Sequence, residues 1–270
     1  MRHEVNPYFM SRNAQSQRMI NEGGNFFSAQ QKKWPNEVVK YKDYPFQMVR
    51  PLPMGCFSRD EVIRSVSLDD LSRHLDQVIL ERPEDYNPQN LVGSAAERVV
   101  QEYVISSGGC MVDFANIESS RFAKGFLFSQ KGGSVLVSKQ ESVSRTGKPS
   151  YNVFTDYDAC GVMHDGNGVI PVIFEVKTGR AQSAEQHMSK YLQPENLGEK
   201  IEPILSLYET KRAICVLFVL PEMISAESPL QRHFQENGGI ILPLPFVSGG
   251  HAVALAKRRI AFAQQQKAIL

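Results

Sequence analysis

Residues Asp156 to Lys177 hold the side chains best suited to chemistry in this sequence. The apolar run VIPVIF leads into Glu175-Val176-Lys177. On a strand, successive side chains alternate between faces, so Glu175 and Lys177 point the same way and Val176 points into the core. Upstream, TDYDACGVM forms a second β-rich run, and HDGNG between the two reads as a hairpin turn. Folding the chain back on itself there brings Asp158 opposite or near Glu175, because the midpoint of 158 and 175 falls in that turn. Asp156 shares a face with Asp158 and is the alternative. Two carboxylates at one point repel each other unless a positive charge lies between them. A hard divalent cation held by oxygen ligands and waters is the usual solution. The Val176 carbonyl is a further candidate ligand. Beside such an ion, Lys177 can orient a water or neutralise charge on phosphorus, which together suit phosphodiester hydrolysis. A lone E-x-K tripeptide on a strand would be no more than an exposed ion pair of small energetic consequence.

The elements that must hold these groups follow from pattern. SAAERVVQEYVI (94–105) reads as a helix capped by Ser94 with Glu97 in its first turn, ended by Gly108 and Gly109. Cys110 to Ile117 reads as a strand, and GFLFSQKGGSVLVS as a hairpin around Lys131-Gly132-Gly133. Residues 139–150 form a polar, basic loop suited to phosphate contact. His164 belongs to the following turn. Helices are expected around Ser183–Leu192 and Ile204–Tyr208, then AICVLFVLP as a strand buried on both faces. Residues 229–237 read as helix, GGIILPLPF as strand, and the C-terminal HAVALAKRRIAFAQQQKAIL as a closing helix with Lys257, Arg258 and Arg259 on its solvated side. Upstream of residue 90, SLDDLSRHLDQVILE has apolar residues at helical spacing and a cap at Ser67, and Pro83 and Pro88 end it. Prolines 35, 45, 51 and 53 favour extended chain between Trp34 and Phe57. These patterns give an α/β class with two parts: residues 1–90 as an accessory region for substrate or dimer contacts, and 91–270 as the domain that carries the chemistry.

The order of Glu97 on a helix, Asp158 on a strand and Glu175-Val176-Lys177 on the next strand resembles the PD-(D/E)xK nuclease superfamily. TDYDACGV looks like its acidic strand and IFEVKTG like its E-x-K strand, over about 93–221. Tyr157 stands where that family has a proline before the first acid. The resemblance implies a restriction-endonuclease-like αβββαβ core, a central mixed sheet flanked by helices, with N- and C-terminal additions. It implies Asp158 and Glu175 as ligands of Mg²⁺ or Mn²⁺, Lys177 as the catalytic lysine, and Glu97 as the helix carboxylate near the metal. Gln186 and Lys190, four apart on one helix face, resemble residues that touch substrate phosphate in several subfamilies. Thr178 and Arg180 are candidates for the same role. DNA is the implied substrate and a homodimer the implied assembly. A DNA-binding or assembly module that keeps the fold without cutting is the alternative.

Composition agrees with a soluble chain. Lys plus Arg is 30 against 29 Asp plus Glu, a formal charge of +1 over 270 residues, which excludes binding nucleic acid or anionic lipid by bulk charge. No apolar run reaches the roughly 18 residues of a membrane span, and the N-terminus has no apolar signal core. Four well-separated cysteines without CxxC suggest neither zinc site nor disulfide framework, so a reducing cytoplasm is expected.

Overall fold

A computed structural model of the chain describes residues 36–38, 44–51, 68–82, 87–106, 125–131, 134–143, 147, 149–165, 167–179, 181–244 and 248–269. The architecture is mixed α/β. Its central sheet is built on β8 (Arg212–Val219), whose residues from Ala213 onward are all buried. Such a strand, covered on both faces, reads as an unbroken apolar run. On one side β8 pairs in parallel with β7 (Gly168–Lys177), which pairs antiparallel with β6 (Ala159–Asp165). The opposite edge of β8 is shared. Its start pairs with β2 (Gln47–Pro51) and its end with β9 (Ile240–Pro243), both parallel. β1 (Asn36–Val38) lies antiparallel to β2. A separate three-stranded sheet comprises β3 (Phe126–Lys131), β4 (Ser134–Val143) and β5 (Pro149–Tyr157).

The expected second hairpin is thus divided. Its first strand breaks at Asp158, with β5 before it in one sheet and β6 after it in the other. The expected basic loop at 139–150 is also mostly strand. Lys139 lies on β4 with its ammonium over the rings of Phe126 and Phe154, 5.8 and 5.3 Å from their centres. A lysine stem laid over aromatic carbon fits a strand as readily as a loop. His164 belongs to β6, opposite Val169, and not to the turn. The expected strand at Cys110–Ile117 lies outside the described residues, as do the expected cap Ser67 and residues 144–146 and 148 of the expected loop. Cys160 and Cys215 are buried free thiols.

Helices α1 (Leu68–Glu81), α2 (Pro88–Ser106) and α6 (Gly249–Ile269) pack on one another, and α2 also lies against β6 and β7. Helices α3 (Ala181–Leu192), α4 (Pro194–Leu207) and α5 (Pro229–Glu236) fill the β7–β8 and β8–β9 crossovers. α2 begins six residues before Ser94. Asn87 accepts the Gln89 amide on its side chain at 3.0 Å and the Leu91 amide on its carbonyl at 3.1 Å, with Pro88 in first helical position. Proline starts this helix because the amide it lacks would have had no partner in a first turn. Glu97 is therefore mid-helix, away from the dipole that a first-turn acid would serve. α4 likewise begins ten residues before its expected start and contains Pro203. The buried stripe Leu197, Ile201 and Ile204 offsets the hydrogen bond that this proline removes.

Described residues from both sides of position 90 share one core. Met48 and Val49 of β2, Leu71 and Leu75 of α1, and Ala252 and Ala256 of α6 belong to the same buried cluster as β7 and β8. Arg73 and His74 of α1 both meet Glu102 of α2, at 2.7 and 3.1 Å, and Arg259 of α6 reaches Asp76 at 3.4 Å. The Arg73 hydrogen bond holds the Glu102 carboxyl below its usual range. Its stabilising contribution is present above about pH 4.3 and is lost as pH falls through the lowered value. Glu102→Gln is expected to cost about 1 kcal/mol at pH 7, since the pair is partly exposed and screened. Urea melts should show that difference shrinking toward pH 3.

Candidate functional site

β7 enters the sheet through Pro171, Val172, Ile173 and Phe174, all buried, and ends on Glu175-Val176-Lys177. The ladder pairs Ala159 with Phe174, so one step further Asp158 stands opposite Glu175. At that position the chain leaves the ladder. The Asp158 carboxylate accepts the Val176 amide through Oδ2 at 2.7 Å, and the Asp158 carbonyl accepts Gln101 Nε2 at 2.7 Å. Side chain and helix thus take over from the missing strand partner, which keeps the bend satisfied. Lys177 Nζ lies 2.8 Å from Glu175 Oε2 and 3.9 Å from Asp158 Oδ2. The two acids and the ammonium therefore meet on one side of β7. Glu175 is 1% exposed, while the Lys177 side chain keeps 25% of its surface open to solvent. The point has an opening.

Sequence reasoning missed two further members. Lys200 of α4 places its Nζ 2.8 Å from Glu175 Oε1, a close ion pair with poor hydrogen-bond direction, and 3.9 Å from Asp156 Oδ1. The Tyr157 hydroxyl donates to the Lys200 carbonyl at 2.7 Å, fixing that turn of α4 against the end of β5. Tyr191 of α3 lies beneath both lysines, its ring centre 6.0 Å from Lys177 Nζ and 5.7 Å from Lys200 Nζ. Its buried hydroxyl has no hydrogen-bond partner among the described residues. The signal for Lys200 was its place beside the apolar stripe of α4, where a lysine ammonium is carried toward the interior. That stripe went unread because Pro203 interrupts it.

One face of α2 spans the cluster at four-residue intervals. Gly93 comes so near the end of β7 that a Cβ there would lie 3.3 Å from Thr178 Oγ1, and Gln101 holds the Asp158 carbonyl. Glu97 sits between them. Burial raises its carboxyl, with Asp156 and Glu175 adding to the rise and Lys177 opposing it. Burial first, and then Glu175, pushes the Asp158 carboxyl well up. Burial alone would raise Glu175 too, but Lys177 and Lys200 outweigh it and hold that carboxyl below its usual range. The same two acids overcome the burial of Lys177 and keep it firmly protonated. One carboxylate is thus ionised and its neighbour favours its proton, as expected when like charges share a site.

The remaining candidates are dispersed. Asp156, with 66% of its side chain exposed, stays on the rim while Asp158 turns in. α3 turns Met188, Tyr191 and Leu192 inward, so Gln186 and Lys190 lie on its exposed face. Thr178 is half-buried beside α2, and Arg180 lies outside the described residues. Among the described residues no group of three or more His, Cys, Asp or Glu side chains is gathered for a metal ion. The donor set fits a harder, wetter ion. Mg²⁺ is commonly held through one or two carboxylates with waters completing the shell, and Asp158 and Glu175 supply those. The Val176 carbonyl shares the strand edge of the amide that Asp158 holds. No helix among the described residues is long and apolar enough to cross a membrane. No family model, curated protein or solved structure matches the chain.

Proposed function

We propose that the chain is a Mg²⁺- or Mn²⁺-dependent nuclease that hydrolyses DNA phosphodiester bonds on a restriction-endonuclease-like core. The observation that carries this reading is the meeting of Asp158, Glu175 and Lys177 at the open end of the β6–β7 hairpin. The run β6, β7, a helical crossover and a parallel β8 supports the core assignment, while the three strands between α2 and β6 form a sheet of their own. Asp158 and Glu175 would hold the ion, with the Val176 carbonyl and Glu97 as further candidate ligands. A bound divalent ion would polarise the phosphate and lower the pKa of its water. Lys177, protonated and partly open to solvent, orients the attacking water and offsets charge on the phosphate. Asp158 is held in place by the Val176 amide and by Gln101, so its carboxylate needs little rearrangement. A net charge of +1 leaves DNA affinity to local cations, for which Lys190 on the exposed face of α3 is a candidate beside Thr178 and Gln186. A dimer would give two sites for cutting both strands.

A second reading is favoured by one observation. Glu175 already has an ammonium at each oxygen, as a purely structural ion triad would. On that reading the chain is a DNA-binding or assembly module that does not cut. Incubating plasmid, linear, branched and single-stranded DNA with the protein in Mg²⁺, Mn²⁺ or EDTA separates the two. Metal-dependent products are expected. Binding without cleavage under every condition would favour the module.

A further inference from the structure

Glu175 is held from two sides, and only one of its lysines belongs to the strand that carries it. Lys177 uses Oε2 and also approaches Asp158, so it is tied to both acids. Lys200 comes from another element and uses Oε1. Its main chain is pinned by the Tyr157 hydroxyl, but its ammonium has a second anion within reach, Asp156 Oδ1 at 3.9 Å on the exposed rim. A divalent ion at Glu175 needs an oxygen that an ammonium now faces at 2.8 Å. Two cations cannot share that oxygen at contact distance without strong repulsion. Lys177 has its second acid at the same distance, but Asp158 would itself be a ligand of the ion, whereas Asp156 lies on the rim outside that set; Lys200 is therefore the lysine free to yield.

We propose that Lys200 is a positioning residue of the metal site: it holds Glu175 Oε1 in the ion-free protein and moves toward Asp156 when a divalent cation takes that oxygen. The inference rests on the nuclease reading and names a part of the site which that reading does not use. Lysine and metal then compete for one ligand. Removing the lysine costs stability without metal, because a buried carboxylate loses a partner, and it strengthens metal binding. A lysine with only a structural role would show the first effect and not the second.

The test is calorimetric titration of Mn²⁺ without DNA, with melting temperatures in EDTA and in Mn²⁺, on the wild type, Lys200→Met, Lys200→Arg, Asp156→Asn, the Lys200→Met plus Asp156→Asn double variant, and Glu175→Gln. The wild type should bind Mn²⁺ and Glu175→Gln should not. Lys200→Met should bind about tenfold more tightly, the factor given by one close charge pair of roughly 1.4 kcal/mol. It should also melt lower in EDTA, with Mn²⁺ closing the gap, and Lys200→Arg should stay near the wild type. Asp156→Asn, at an exposed position that leaves the fold intact, should weaken Mn²⁺ binding severalfold, and that loss should vanish in the Lys200→Met background. Mn²⁺ affinity unchanged or weakened in Lys200→Met overturns the proposal while leaving the nuclease reading in place. So does an Asp156→Asn effect that persists without Lys200. Absence of Mn²⁺ binding by the wild type overturns both.

Discussion

Glu175→Gln is expected to abolish metal-dependent cleavage and to destabilise the fold at the same time. The loss of rate should be at least 10²–10³-fold, roughly what removal of one preorganised charge-stabilising group costs. The loss of stability comes from the two lysines. Lys177 and Lys200 each lie 2.8 Å from a Glu175 oxygen in a setting where that carboxyl is 1% exposed. A neutral amide leaves both ammonium groups without their anion, and breaking a buried ion pair in this way costs about 3 kcal/mol. The pH dependence has a definite sign. Because the lysines hold the carboxyl below its usual range, its contribution is present above about pH 4.3 and disappears as pH falls through the lowered value. Denaturant melts of the wild type in EDTA should therefore weaken toward acid, and Glu175→Gln should lack that part of the slope. A variant that melts like the wild type at pH 7 would show that the lysines do not depend on this carboxylate.

Asp158→Asn should remove cleavage to a similar extent and yet leave the metal-free protein as stable or more so. Burial and the nearby Glu175 make the ionised form of Asp158 unfavourable in the folded state. Its raised carboxyl lowers stability as pH climbs from about 3.9 through the raised value. Asparagine carries no charge, and its side-chain oxygen can still accept the Val176 amide that Asp158 now accepts at 2.7 Å. A melting temperature about 2–4 °C above the wild type at pH 8, the shift that 1 kcal/mol gives a chain of this size, is the expected reading in EDTA. The two acids would then be equivalent for catalysis and opposite for folding. If Asp158→Asn instead melts well below the wild type, Asp158 is a stabilising partner of Lys177, and charge repulsion is not what governs this site.

Much of the site could be read along the chain because it is local. The register that sets Asp158 against Glu175 follows from a two-strand hairpin with a short turn, where pairing depends only on counting residues from the bend. The continuous apolar run of β8 announced its burial for the same reason. What escaped was set by other parts of the fold. Lys200 lies 25 residues beyond Glu175, on a helix whose buried stripe is interrupted by Pro203, and nothing near it names the anion it meets. Asn87 and Pro88 open α2 although a serine and an acid six and nine residues later look equally like a start. β2 joins the edge of β8 more than 160 residues away in sequence, through a contact that strand propensity alone cannot foresee. The division of one long β-rich run into two sheets at Asp158 depends on Gln101 and Val176 being there to receive it.

That division also gives the site a mechanical link. β5 runs straight into Asp158 with no intervening loop, and the next residue already belongs to β6. A ligand that tilts the three-stranded sheet would pull on the aspartate's main chain directly, against the Gln101 amide on its carbonyl, the Val176 amide on its side chain and the Tyr157 hydroxyl on Lys200. The small sheet works as a lever arm whose short end is the acid itself. Load placed on its far strands would be felt at Asp158 before any side chain in the centre had touched the load.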